Sequence, residues 1–266
     1  MRVSFTDTTI CTSTGLNIVA SSGQSIFRVA QTKYGPVSPP LRIPGVHPVK
    51  GWSRWDTPGR TIYGGSTEIG AFVEVLEYIT PDPPAIPLTE LFDDVAADDT
   101  DTLADQIARE LPPHGGMAYR SIPQGWRQVR SIYELKLPNS GWFVDITGAN
   151  SISVVSDQLG STLLADCGIG RLTLSELTSS SEDLKKLTTG IATWIRETVH
   201  LHDGERPHGI FYPSKWGSTL ANWAMWLRRK DDGTGADPLT QLYTSNIGRH
   251  TKALVEAAKL RDMKIF

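Results

Sequence analysis

Apolar and polar positions alternate over SIFRVAQ at 25–31. Phe27 and Val29 fall on one side, with Ile26, Arg28 and Ala30 on the other. A period of two predicts a strand and sets Arg28 opposite the Phe27/Val29 face. TIYGGS at 61–66 reads as a second short strand closed by glycines. The period then changes. Ile69, Phe72, Val73, Leu76 and Ile79 recur at helical spacing, and Pro81, Pro83 and Pro84 end the run. Ser66 or Thr67 is placed to cap this helix, and Glu68 sits favourably in its first turn.

Further along, strands are predicted near 129–137, 142–146 and 209–212. Helices are predicted around 100–111 (Leu103, Ile107 and Leu111), at 156–168, at 182–199 and over about 247–262. In the 182–199 helix, Leu184, Leu187, Ile191, Trp194 and Ile195 share a face, behind a serine cluster suited to capping. LANWAMWL at 220–227 fits neither period, and DDGTG at 231–235 reads as a loop or turn. The proline-rich stretch at 34–52 is incompatible with a helix. These patterns divide the chain into a Ser/Thr-rich tail or peripheral strand at 1–24, a main unit at 25–230, and a C-terminal loop and helix at 231–266. An acidic, proline-bounded stretch at 81–125 reads as a surface insertion in the main unit.

Composition narrows the class. The 266 residues carry a net charge of −3 and no long basic run, which disfavours a general nucleic-acid binder. Cys11 and Cys167 are too few for a disulfide framework, so a reduced cytoplasmic protein is expected. No apolar run approaches the ~18 residues of a membrane span. The N-terminus lacks the basic and apolar regions of a secretory signal, although export by a signal-less route stays open.

Candidate chemistry is scattered. Glu74 lies nearly opposite Leu76 on the helical wheel, on the polar face, either in solvent or lining a cleft. Gly70, one turn earlier, would let a ligand approach. Arg54 stands between Trp52 and Trp55, where a guanidinium can stack on indole and bind phosphate, pack on surface tryptophans, or pair with Asp56. Tyr63 is either a core aromatic or a stacking platform for a planar ring. Ser214 follows Pro213 at a strand end, the usual place of a turn residue, and no G-x-S-x-G elbow surrounds it. LHDGERPH at 201–208 gathers His202, Asp203, Glu205 and His208, either as a weak metal site or as a polar loop. HExxH, Walker and Rossmann patterns are absent.

Taken in order, these residues resemble the RES family of NAD-consuming proteins. The resemblance runs from Phe27-Arg28-Val29-Ala30 through Ser53-Arg54-Trp55-Asp56, Gly59 and Tyr63 to Ala71 and Glu74. It continues at Val144-Asp145-Ile146 and closes at His208-Gly209-Ile210-Phe211-Tyr212-Pro213-Ser214, covering roughly 25–217. It implies an α+β core of small twisted sheets flanked by helices, similar to diphtheria-toxin-like ADP-ribosyltransferases, with an NAD cleft. NAD would be the substrate, with no metal.

The implied catalytic residues are Arg54, Glu74 and Ser214, and the implied NAD-binding residues are Arg28, Tyr63 and Arg54. The arginines would hold the pyrophosphate, Tyr63 would stack on nicotinamide, and Glu74 would stabilise the cationic transition state. Ser214 would bind a phosphate oxygen or orient the ribose. Members are often toxins, so the implied partners are NAD, phosphate as one acceptor, and a cognate antitoxin or immunity protein, without nucleic acid or membrane. Two departures stand out. Asp56 replaces the usual Asn, placing a carboxylate near the pyrophosphate unless Arg54 or Arg60 neutralises it, and His208 replaces the usual Asp. Three readings follow: an NAD glycohydrolase or phosphorylase, a protein ADP-ribosyltransferase on the same fold, or an inactive NAD- or partner-binding module.

Overall fold

The computed structural model describes residues 8–79, 85–96, 98–110, 120–179, 181–233 and 239–266. In chain order it opens with β1 (Thr8–Ile10), β2 (Asn17–Ala20), β3 (Ser25–Gln31), β4 (Thr61–Gly65) and α1 (Glu68–Leu76). Then come α2 (Leu88–Leu91), α3 (Leu103–Glu110), β5 (Ser121–Ile122), α4 (Gln124–Gln128), β6 (Arg130–Lys136) and β7 (Trp142–Asp145). The next elements are α5 (Ala149–Leu159), α6 (Leu174–Thr178), α7 (Lys185–Thr198), β8 (Gly209–Ser214) and β9 (Gly217–Trp226). The chain closes with α8 (Arg228–Asp232), β10 (Thr240–Asn246), α9 (Lys252–Leu260) and β11 (Lys264–Ile265).

The class is α+β. Nine strands form one sheet in the order β1-β2-β7-β8-β9-β4-β3-β6-β10, while β5 and β11 form a separate parallel pair. Within the large sheet only β7 and β8 run parallel. The resemblance implies small sheets; here most strands join one continuous sheet.

Two cores flank it. The α1 stripe buries Phe72, Val73 and Leu76 in a cluster with Leu254, Ala257 and Ala258 of α9. Burying each large apolar side chain contributes roughly 1.5–3 kcal/mol, so this contact anchors the helix that carries Glu74. The α7 stripe buries Leu187, Ile191 and Ile195 with Trp55, Val144, Ile210 and Trp226. Glycine decides how closely α1 and β3 approach β4. A Cβ on Gly65 would stand 3.0 Å from the Ala71 amide nitrogen, and one on Gly64 would lie 2.7 Å from Ile26 Cδ1.

Where the elements differ from the pattern reading, the cause is physical. LANWAMWL belongs to β9, which pairs with β8 and β4 and buries both faces. Ala221, Trp223 and Met225 enter one cluster, Ala224 and Trp226 another. A strand buried on both sides loses its alternation. β10 is polar and exposed, an edge strand held by pairing with β6, and within 247–262 the helix covers Lys252–Leu260, after a turn that ends at its N-cap Thr251. α5 begins at Ala149, before 156, and α8 stands where the DDGTG turn was expected to begin. Leu184, not the serine cluster, is the N-cap of α7. Leu16, Ile18 and Val19 are core residues, so the part of 1–24 that is described is structural. Part of the 81–125 stretch lies outside the described residues; α2, α3, β5 and the start of α4 fall within it. No helix among the described residues is long and apolar enough to cross a membrane.

Candidate functional site

Thr67 caps α1, its hydroxyl accepting from the Gly70 amide at 3.0 Å. That start point, with the buried stripe, fixes the rotation of the helix and turns Glu74 towards the sheet. There Glu74 lines a cavity of about 670 Å³ together with Arg28 of β3, Arg54, Tyr63 of β4, Tyr212 of β8 and Asn222 of β9. The α7 side closes the cavity through Lys185 and Thr188, with Ser179 and Ser181 before them.

Glu74 shares the cavity with two guanidiniums that it does not pair with. Glu74 Oε1 accepts from Ser214 Oγ at 2.5 Å and from Asn222 Nδ2 at 2.9 Å. Among the described residues Glu74 makes no ion pair, and Arg28 and Arg54 have no carboxylate within ion-pair distance. Arg28 donates to the Tyr63 carbonyl at 3.0 Å, and its Nε is buried without a hydrogen bond, as is Nε of Arg54. Burial lowers the Arg28 guanidinium to about 10, so it stays charged at neutral pH. Burial likewise pushes the Tyr212 hydroxyl up, reinforced by the negative charge of Glu74. Lys185 donates to the Trp52 carbonyl and adds a third cation. Lys215 ion-pairs with Glu77, and both line the same cavity.

Asp56 does not face that cavity as an unmet charge. Its Oδ2 accepts from Arg42 Nε at 2.8 Å and from the Ser53 amide at 2.9 Å, while Oδ1 accepts from the Tyr63 hydroxyl at 2.8 Å. Tyr63 also accepts from the Trp55 amide at 3.1 Å. Burial first, then Asp56, raises the Tyr63 hydroxyl well above its ordinary value, so it remains a donor. This buried carboxylate thus clamps residues 53–56 and, through them, the position of Arg54. The neutralising partner is Arg42, not Arg54 or Arg60; Arg60 pairs with Asp231.

The candidate residues named from sequence therefore separate clearly. Arg28, Arg54, Tyr63 and Glu74 converge on one cavity. Ser214 reaches it through Glu74, and its single proton is committed there while the Trp216 amide donates to its oxygen at 3.1 Å. Trp52 and Trp55 are core residues, not surface platforms, and Trp55 packs against the Tyr212 ring with centroids 5.9 Å apart. Gly70 does not open space for a ligand: a Cβ there would meet Thr67 Oγ1 at 3.2 Å and Leu220 at 3.6 Å. Asp145 accepts from the amide and hydroxyl of Thr147 and does not line the cavity. His208 sits at the far end of β8, against the Ser140 carbonyl at 3.1 Å, and its imidazole is lowered by burial. The 201–208 stretch is a loop in which Asp203 accepts from the Trp142 indole at 2.9 Å. No group of three or more His, Cys, Asp or Glu among the described residues is arranged to hold a metal ion. Both cysteines are free thiols.

Pattern reading missed Asn222, Lys185 and Arg42. Asn222 lay in a stretch without usable period, and Lys185 and Arg42 have no local signal that separates them from solvated cations.

Comparison with protein-family models, with curated proteins and with solved structures found no match to this chain.

Proposed function

We propose that this chain consumes NAD as RES-type enzymes do, breaking the bond between nicotinamide and ribose, on a core similar to the diphtheria-toxin-like ADP-ribosyltransferases. One observation carries the reading. A carboxylate and two half-buried arginines share a cavity, and none of the three forms an ion pair among the described residues. NAD has the complementary chemistry: a diphosphate for the guanidiniums and a ribosyl centre that becomes cationic as the ring leaves.

Arg28 and Arg54 bind the diphosphate in this scheme. The Tyr63 ring, held by its hydroxyl bonds, supports the nicotinamide. The C1′–nitrogen bond breaks with its electron pair passing to the pyridinium, which leaves as neutral nicotinamide. Positive charge develops on C1′ and the ring oxygen, beside the Glu74 carboxylate. Water or phosphate then adds to C1′, water losing a proton to solvent. No metal is required. The RES likeness also suggests a toxin with a cognate antitoxin or immunity protein.

Neither alternative gains a specific observation. Phe72, two positions before Glu74, is fully buried, so no second acidic group stands there for arginine-directed transfer. Asp56 and His208, the grounds for an inactive module, both have hydrogen-bond partners within the protein, Asp56 supporting Tyr63 and the segment of Arg54. The test is to incubate purified protein with NAD, with and without phosphate, and identify products by mass. ADP-ribose or its 1″-phosphate plus nicotinamide is expected. Glu74→Gln should lower turnover by roughly 10²–10³-fold, the scale set by losing one charge-stabilising group. Intact NAD after prolonged incubation, or parental turnover in the variant, would overturn the proposal.

A further inference from the structure

Glu74 has two oxygens, and the structure treats them differently. Oε1 takes both hydrogen bonds, from Ser214 and from Asn222, while Oε2 takes none among the described residues. Asn222 is 3% exposed, and β9 pairs it with Tyr212 on one side and Gly65 on the other. Because Gly65 has no side chain, α1 packs closely over the sheet there, which brings Glu74 within reach of the Asn222 amide. A carboxylate oxygen only accepts, so the amide nitrogen is the atom that faces it.

We propose that Asn222 is the positioning residue that holds Glu74 in a fixed rotamer with Oε2 alone presented to the substrate; this rests on the NAD reading above. Ser214 by itself leaves the carboxylate one donor and one pivot. The second donor, from a different strand, removes the rotation. Unlike a lysine or arginine at this place, Asn222 adds no positive charge that would cancel the field felt by a developing cation. Unlike an aspartate, it does not force a shared proton.

The other titratable groups around Glu74 are Glu77 and Tyr78 at its own helix end, Tyr212 and Lys215 from the β8 side, and Tyr63 of β4. Arg28, Arg54, Glu182 and Lys185 complete the charged set lining the cavity. None of these donates a hydrogen bond to Glu74, so the two neutral donors are its hydrogen-bond partners among the described residues.

The deciding substitutions are Asn222→Asp, which keeps the shape, and Asn222→Ala, which removes the donor. With the acid next to Glu74, one proton is shared and the pair should titrate at least about one pH unit higher than Glu74 does in the parent. The acid limb of kcat should move up by the same amount in N222D, with activity recovering as pH rises. N222A should lose about tenfold or more in kcat with KM changed less than about threefold, the pattern of an interaction that matters in the transition state. The Glu74 side-chain carboxyl, followed by carbon NMR and assigned with Glu74→Gln, supplies a readout that needs no substrate. If N222D leaves the Glu74 titration at its parental midpoint, or N222A keeps parental kcat, the proposal is wrong. If the parent spares NAD, the NAD reading falls, and the NMR titration still decides the role of Asn222. Should N222A fail to fold, N222D and Asn222→Ser carry the same test, with melting temperature as the control.

Discussion

Two pairs of arginines in this molecule are handled in opposite ways. Arg60 and Arg196 converge on Asp231 at 3.0 and 2.9 Å, and Arg196 also donates to the Thr57 hydroxyl at 3.3 Å. Their charge is met inside the protein, and the knot pins α8 against the 57–60 turn. Arg28 and Arg54 are drawn into a cavity beside Glu74 and are given no carboxylate partner. Desolvating a charge without repaying it is unfavourable. The first pair serves the fold; the second is the pair that the proposed NAD reading assigns to the diphosphate.

The largest effect should come from breaking the satisfied pair. Asp231→Ala strands Arg196 in the interior and is expected to destabilise by about 3–5 kcal/mol in urea unfolding. A change under about 1 kcal/mol would remove the contrast, since it would mean the knot holds no more than a surface ion pair does. Arg28→Met should do the reverse. NAD affinity should fall on the order of a hundredfold by calorimetry, as expected for losing a charge-assisted contact. Melting temperature should hold or rise, because an uncompensated buried charge is gone. A large loss of stability with affinity intact would make Arg28 a structural residue.

A middle-sized effect is expected at the clamp. Asp56→Ala leaves Arg42, the Ser53 amide and the Tyr63 hydroxyl without their acceptor and should cost about 1–3 kcal/mol. It should also raise KM for NAD, since the segment bearing Arg54 is released. Asp56→Asn should recover part of both, by restoring one acceptor oxygen.

The pH response is smaller and has opposite signs for binding and folding. With Arg28 at about 10 in the fold, NAD affinity should decline as pH rises through that value. The stability penalty of its desolvated charge is complete below about 10 and is relieved as pH rises from there towards the ordinary guanidinium range. Affinity flat to pH 11 in a still-folded protein would place the proton elsewhere. The smallest effect is expected at Gly70→Ala. The added methyl meets Thr67 and Leu220 and not the cavity, so turnover should be unchanged and stability altered by less than about 1 kcal/mol. A marked rise in KM would restore Gly70 to the ligand's path.

Much of this was legible locally. The strand at 25–31, the strand and helix at 61–76, the Thr67 cap and the α7 stripe all follow from periods of two and 3.6 residues and from capping chemistry. Those rules act over a few residues, and so they also assigned Glu74 to the polar face of its helix. They could not say whether that face meets water or a cavity. β9 escaped them because burial on both faces erases alternation, and β10 because an exposed edge strand is specified by its partner and not by its own sequence.

Tertiary structure alone decided the chemistry of the site. The order β8-β9-β4-β3 sets Ser214, Asn222, Tyr63 and Arg28 on adjoining strands, and α1 lays Glu74 among them. It also gave Asp56 to Arg42 and Tyr63, turning an expected intruder near a diphosphate into the support of the loop. Periodicity and caps are short-range forces, and they sufficed for the helix that bears Glu74. The partners of a charge are chosen across the sheet, over 148 positions in the case of Asn222 and Glu74, where no local rule reaches.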